Sequence, residues 1–153
     1  MARRKLLCVD DDSGIRKLYK DLFASYGYDV TLASSGREAI KKFLSHRVDA
    51  VVTDLEMPGM TGAELASKLK GLRPELPVVL VSGSKSATER LPEGVDVALA
   101  KGSPIDSLVD RIETMIALRS QRPARLHPAR LIPLGSILAS IALVAYALPK
   151  IWK

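Results

Sequence analysis

The sequence predicts an α/β protein, a doubly wound five-stranded parallel sheet followed by a C-terminal hydrophobic helix. Three observations carry that prediction. Short β-branched runs alternate with longer stretches of helical period up to about residue 119, as strand–helix–strand crossovers require. The strands read as near-continuous apolar runs, "VVLV" among them, which suits a sheet covered on both faces. Residues 131–148 then run without a single charge.

Taken in order, "KLLCV" reads as a buried strand, and residues 14–26 follow with Ile15, Leu18, Leu22 and Phe23 at helical spacing. "YDVTLA" is the second strand, and "SGREAIKKFLSH" a helix with Ala39, Ile40, Phe43 and Leu44 on one face. "DAVVTD" is the third strand, "GAELASKLKGL" the third helix and "LPVVLVSG" the fourth strand. The stretch 84–91 is weakly helical at most and ends at Pro92. "VDVALA" makes the fifth strand. Ile105, Leu108, Val109, Ile112, Met115 and Ile116 then mark an amphipathic last helix.

Composition sets the outer bounds. A chain of 153 residues, 47% hydrophobic and 26% charged, holds one domain of ordinary size with a real core. The net charge of +6 is unevenly spread, because residues 121–153 carry five Lys/Arg and no acid. Cys8 is the only cysteine, so no disulfide forms within the chain, and its apolar setting makes it a core residue. The apolar stretch after "MARRK" is four residues long, too short for a secretory signal, so the domain is expected in the cytoplasm. His46 and His127 lack metal-ligand companions.

The chemistry-bearing residues gather at strand ends. "VDDDS" places Asp10 and Asp11 at the end of the first strand, and Asp54 ends the third. In open parallel sheets, ligands bind outside the carboxyl ends of the strands. Three carboxylates there repel one another unless a hard divalent cation sits among them, and Mg²⁺ takes such oxygen ligands. Ser82, ending the fourth strand, and Lys101, ending the fifth, fall on the same edge. A cation, a hydroxyl, an ammonium and a carboxylate make a site for phosphoryl transfer to the carboxylate.

"LLCVDDDSGIRKL", "VVTDLEMPGMTGAEL", "VVLVSGS" and "ALAKGSP" resemble the receiver domain of two-component response regulators, over roughly residues 3–119. The resemblance implies a flavodoxin-like sheet of order 2-1-3-4-5, with Asp54 as phospho-acceptor and Asp10 and Asp11 as the metal-binding pair. It also implies that Glu56 lends its backbone carbonyl to the metal, and that Ser82 and Lys101 contact the phosphoryl group. Asp12 is expected to stay solvated near the start of the first helix, where a carboxylate suits the helix dipole. Two positions depart from the family pattern. Gly102 follows Lys101 where the family usually has proline, which is expected to leave that loop freer. Ala98 stands where the family often has an aromatic switch residue, so chemistry is expected to be retained and signal output altered.

Residues 120–130 form a basic, proline-containing linker. Residues 131–149 follow as an expected transmembrane helix, with 150–153 a short polar end. The 18 uncharged residues reach about 27 Å as a helix, enough for a thin hydrocarbon core. Arg119, Arg122, Arg125 and Arg130 outweigh Lys150 and Lys153, which favours a receiver held at the cytoplasmic face of the cell membrane by a single-pass anchor. Nucleic acid is not an expected partner, because no reader motif accompanies the basic run.

The expected function is therefore that of a membrane-tethered single-domain regulator. It would accept a phosphoryl group on Asp54, with Mg²⁺, from a sensor histidine kinase or phosphotransfer protein. It would act through contacts with a downstream protein or as a phosphate sink, and would be no enzyme beyond phosphoryl acceptance and hydrolysis of the acyl phosphate. Glu56, two residues after Asp54, is placed to modify that dephosphorylation by tuning the access of water. The alternative is a phosphorylation-independent, receiver-like scaffold at the membrane.

Overall fold

The computed structural model describes residues 3–83 and 90–121. The chain runs β1 (Lys5–Val9), α1 (Ser13–Ser25), β2 (Asp29–Ala33), α2 (Gly36–Ser45), β3 (Ala50–Asp54), α3 (Gly62–Leu72), β4 (Val78–Ser82), β5 (Val97–Ala100) and α4 (Ile105–Gln121). The five strands form one parallel sheet of order β2-β1-β3-β4-β5, the order the resemblance implied.

Burial explains the strand patterns. Every residue of β3 and β4 is buried, as central strands covered on both faces must be. The edge strands β2 and β5 are mostly half-buried. Alternation along each strand sends side chains to opposite faces. Leu7, Val9, Val51, Val78 and Leu80 pack with Phe43 of α2 and with Leu65 and Leu69 of α3. Leu6, Cys8, Val52, Val79 and Val81 pack with Phe23 of α1 and with Leu108, Ile112 and Ile116 of α4. Cys8 is fully buried, and burial pushes its thiol pKa up, so it is an inert core residue.

The helix starts are capped. Asp12 accepts from the backbone N–H groups of Gly14 (2.7 Å) and Ile15 (3.0 Å), so it is the cap of α1 rather than a merely solvated carboxylate. Those two bonds hold its pKa below the ordinary carboxylate value. Thr61 and Glu64 close a reciprocal capping box on α3. The tyrosines near the end of α1 reach across to α4, Tyr26 to Asp106 and Tyr28 to Glu113.

Three expectations change. Leu18 and Leu44 are 49% and 68% exposed, although both lie at apolar spacing. Tyr19 packs beside the core on α1 and stacks against Phe23 at 5.8 Å, so the buried stripe runs one residue away from Leu18. The last helix continues to Gln121, past the expected boundary at 119, since arginine, serine and glutamine permit helix and Pro123 is the first residue to forbid it. Most of the stretch 84–91, and the whole expected anchor at 131–149, lie outside the described residues. Among the described residues, no helix is long and apolar enough to cross a membrane.

Candidate phosphoryl-transfer site

The carboxyl ends of the strands deliver the predicted residues to one place. Asp10 follows β1, Asp54 ends β3 and Ser82 ends β4. Register pairs Val9 with Thr53, Asp54 with Val81, and Ser82 with Ala100. Asp10, Asp11 and Asp54 each offer a carboxylate oxygen, and these oxygens lie within 4.8 Å of one another. Asp10 and Asp54 are only 1% and 4% exposed, whereas Asp11 is exposed. Ser82 is buried at the end of β4. Glu56 is exposed, two residues beyond Asp54.

Each oxygen of Asp54 is held. Oδ1 accepts from the Leu55 N–H at 2.9 Å, and Oδ2 lies 3.1 Å from Lys101 Nζ. Burial alone would lower the Lys101 pKa, but its contact with Asp54, joined by the charges of Asp10 and Asp11, raises it on balance. The lysine is therefore a permanent cation at neutral pH. Asp10 differs. Its Oδ1 accepts from the Asp12 N–H at 2.8 Å, while its Oδ2 is buried with no hydrogen-bond partner among the described residues. Burial, helped by the charges of Asp54 and Asp11 and opposed by the bond from Asp12 and the charge of Lys101, raises the Asp10 pKa. A buried carboxylate oxygen left unpaired among like charges is what a hard divalent cation satisfies, so the donor set fits Mg²⁺.

Two glycines shape this edge. A Cβ on Gly62 would sit 2.0 Å from the Asp54 carbonyl oxygen, so the first residue of α3 is pressed against the backbone of Asp54. Gly62 N–H donates to the Leu55 carbonyl at 2.8 Å, and Thr53 Oγ1 donates to the Asp54 carbonyl at 2.9 Å. Gly62→Ala is therefore expected to destabilise the domain by about 3 kcal/mol, seen as a lower urea midpoint, because backbone rather than a movable side chain blocks the methyl group.

Gly102 has φ +91°, a conformation glycine permits and proline, fixed near −65°, forbids. Two backbone hydrogen bonds flank it. Lys101 N–H donates to the Ser82 carbonyl at 2.8 Å, and Ser103 N–H to the Ala100 carbonyl at 3.1 Å. A left-handed glycine turn thus aims the lysine, and no peptide bond among the described residues is cis. Ala98 is half-buried against the core beneath α2 and α3 and offers no ring.

At the opposite, amino-terminal edge of the sheet lies a cleft of about 360 Å³ lined by Arg3, Arg4, Lys5, Arg47, Asp49 and Arg119. Arg4 pairs with Glu113, Lys5 with Asp29, Arg47 with Asp49 and Arg119 with Glu75. Most of the charges lining that cleft are thus paired, and it lies at the edge opposite the carboxylate cluster.

With the geometry in hand, comparison with known proteins is decisive. The family profile of the response regulator receiver domain matches residues 6–113. The chain belongs to the response regulator receiver family. It is 34% identical over 115 residues to the response regulator MprA of Mycolicibacterium vanbaalenii, covering 73% of this chain and 50% of that protein. It is likewise 34% identical over 122 residues to MprA of Mycobacterium tuberculosis, covering 78% and 52%. The chain thus spans about half the length of the curated relatives it matches. Among solved structures it resembles the response regulator TrrA of Thermotoga maritima in complex with Mg²⁺-BeF, with TM-score 0.69, 30% identity, and 73% and 98% of the two chains covered. The receiver domain of Francisella response regulator 1452 gives TM-score 0.69 and 31% identity, with 76% and 98% covered.

Within this receiver, Arg16, like Gly62, had no site role in the sequence reading. Arg16 Nη1 donates to the Asp10 carbonyl at 2.7 Å. Only its spacing, four residues after the helix cap, hints at this reach.

Proposed function

We propose that this chain is a membrane-tethered response regulator that accepts a phosphoryl group on Asp54 from a sensor histidine kinase or phosphotransfer protein. The observation that supports it most is Asp10 Oδ2, without a hydrogen-bond partner among the described residues and buried within a carboxylate cluster whose acceptor, Asp54, is already in contact with Lys101. Asp10 and Asp11, with Asp54 and the Glu56 carbonyl, would hold Mg²⁺, which when bound supplies positive charge against the phosphoryl oxygens. In the transfer, an Asp54 carboxylate oxygen forms a bond to phosphorus. The P–N bond of the donor phosphohistidine breaks, its electron pair goes to the ring nitrogen, and that nitrogen takes up a proton from solvent. Lys101 moves from ion-pairing Asp54 to neutralising an equatorial phosphoryl oxygen, and Ser82 donates to another. Hydrolysis reverses the acceptor's part: water attacks phosphorus and the Asp54 carboxylate leaves. Glu56, exposed and two residues beyond Asp54, would modify that water's approach.

Transfer of label from a phosphorylated histidine kinase to the wild-type chain, and none to Asp54→Asn, is the expected result. No transfer from any kinase to the wild type would contradict the reading. The second reading, a phosphorylation-independent scaffold, is favoured by the ringless Ala98 and the altered turn at Gly102. It predicts partner binding unchanged by Asp54→Asn.

The tether rests on the sequence of residues 131–149, uncharged until Lys150 and preceded by arginines. It places the receiver at the cytoplasmic face of the cell membrane, acting through protein contacts or as a phosphate sink. The full-length chain should stay in the membrane fraction after an alkaline wash, and a chain truncated at residue 120 should not. Release of the full-length chain by the wash would remove the anchor from this account.

A further inference from the structure

We infer that Arg16 is a positioning residue for the metal-binding carboxylate, an inference that rests on the Mg²⁺-assisted reading of the site. Asp10 has four polar main-chain and side-chain atoms, and three of them have partners. Its N–H donates to the Ala33 carbonyl at 3.2 Å, its carbonyl accepts from Arg16 Nη1 at 2.7 Å, and its Oδ1 accepts from the Asp12 N–H at 2.8 Å. Only Oδ2 remains. The carboxylate is thus fixed at both ends of its residue, by β2 through the amide and by α1 through Arg16.

The helix supplies the reach. The Arg16 N–H donates to the Asp12 carbonyl at 3.1 Å, in the opening turn of the helix that the Asp12 side chain caps. Side chains lean toward the N-terminus of their helix, so one in the opening turn lies back over the loop that precedes it. Here that loop is Asp10–Asp12, which carries two of the three carboxylates. A guanidinium donating to a backbone carbonyl makes a short, charge-assisted bond. Groups that orient a metal ligand without touching the metal often carry a ten- to hundredfold share of its affinity.

Charge gives the inference a test by sign. A bystander cation near a Mg²⁺ site repels the metal, so deleting it tightens binding. A clamp on the ligand does the reverse. The experiment is a calorimetric Mg²⁺ titration of the full-length chain in detergent, well below its melting temperature, for wild type, Arg16→Met, Arg16→Lys and Asp10→Asn.

The expected result is Mg²⁺ binding to the wild type that Asp10→Asn abolishes, weakened about tenfold or more in Arg16→Met and largely recovered in Arg16→Lys. Tighter binding in Arg16→Met would make the arginine a bystander and overturn the inference. A lower melting temperature with unchanged Mg²⁺ affinity would make it merely structural, which also overturns it. Absence of Mg²⁺ binding by the wild type would instead sink the reading of the site, and the inference with it.

Discussion

Asp10→Asn is expected to raise the melting temperature of the metal-free protein at neutral pH while abolishing its response to Mg²⁺. Asp10 is 1% exposed, its Oδ2 has no hydrogen-bond partner among the described residues, and Asp54 and Asp11 add like charge beside it. Leaving a buried charged acceptor unsatisfied costs about 1–3 kcal/mol, which at this size is roughly 3–10 °C of Tm. The sign with pH follows from the raised Asp10 pKa, caused first by burial. A carboxyl whose folded pKa lies above its unfolded value holds its proton more tightly in the native state. The metal-free wild type therefore loses stability as pH rises from the ordinary aspartate range through the raised value. Asp10→Asn lacks that loss. A variant less stable than wild type at neutral pH, without metal, would show that Asp10 is satisfied without a cation.

Lys101→Ala is expected to slow phosphorylation of Asp54 by a small acyl phosphate donor about a hundredfold, with the fold retained. The ammonium lies 3.1 Å from Asp54 Oδ2, and its raised pKa keeps it charged throughout the neutral range. Removing one preorganised donor from developing negative charge typically costs ten to the second or third power in rate. Lys101 is partly exposed, so little core packing is lost with it. Near-normal rates in Lys101→Ala would assign the charge neutralisation to the metal alone.

The strands and their ends were legible because a parallel sheet leaves strong traces. Continuous apolar runs give the strands, and the residue types at their carboxyl ends give Asp10, Asp11, Asp54, Ser82 and Lys101. Helix faces were less legible. Leu44 lies beside buried Phe43 and Leu18 beside half-buried Tyr19, and a stripe read at three- and four-residue spacing does not separate adjacent rows. Asp12 was placed near the right helix terminus, yet its capping bonds to Gly14 and Ile15 appear only in three dimensions.

Arg16 and Gly62 escaped for a different reason. Both act on main-chain carbonyls, those of Asp10 and Asp54, and a carbonyl has no residue type to betray its partner. Gly102 was noticed as a departure, but the shape of its turn was not legible. Its positive φ and the two flanking hydrogen bonds make it a shaped turn in place of proline.

The central claim is that Asp54 is a working phospho-acceptor in a Mg²⁺-dependent site. Its most direct test is the intact mass of the full-length protein after incubation with a small acyl phosphate, with and without Mg²⁺, beside Asp54→Asn. A single phosphoryl adduct on the wild type that needs both the metal and Asp54 is the predicted result. An adduct that persists in Asp54→Asn or forms equally well in a chelator would contradict the claim, as would none from this donor or any phosphorylated kinase.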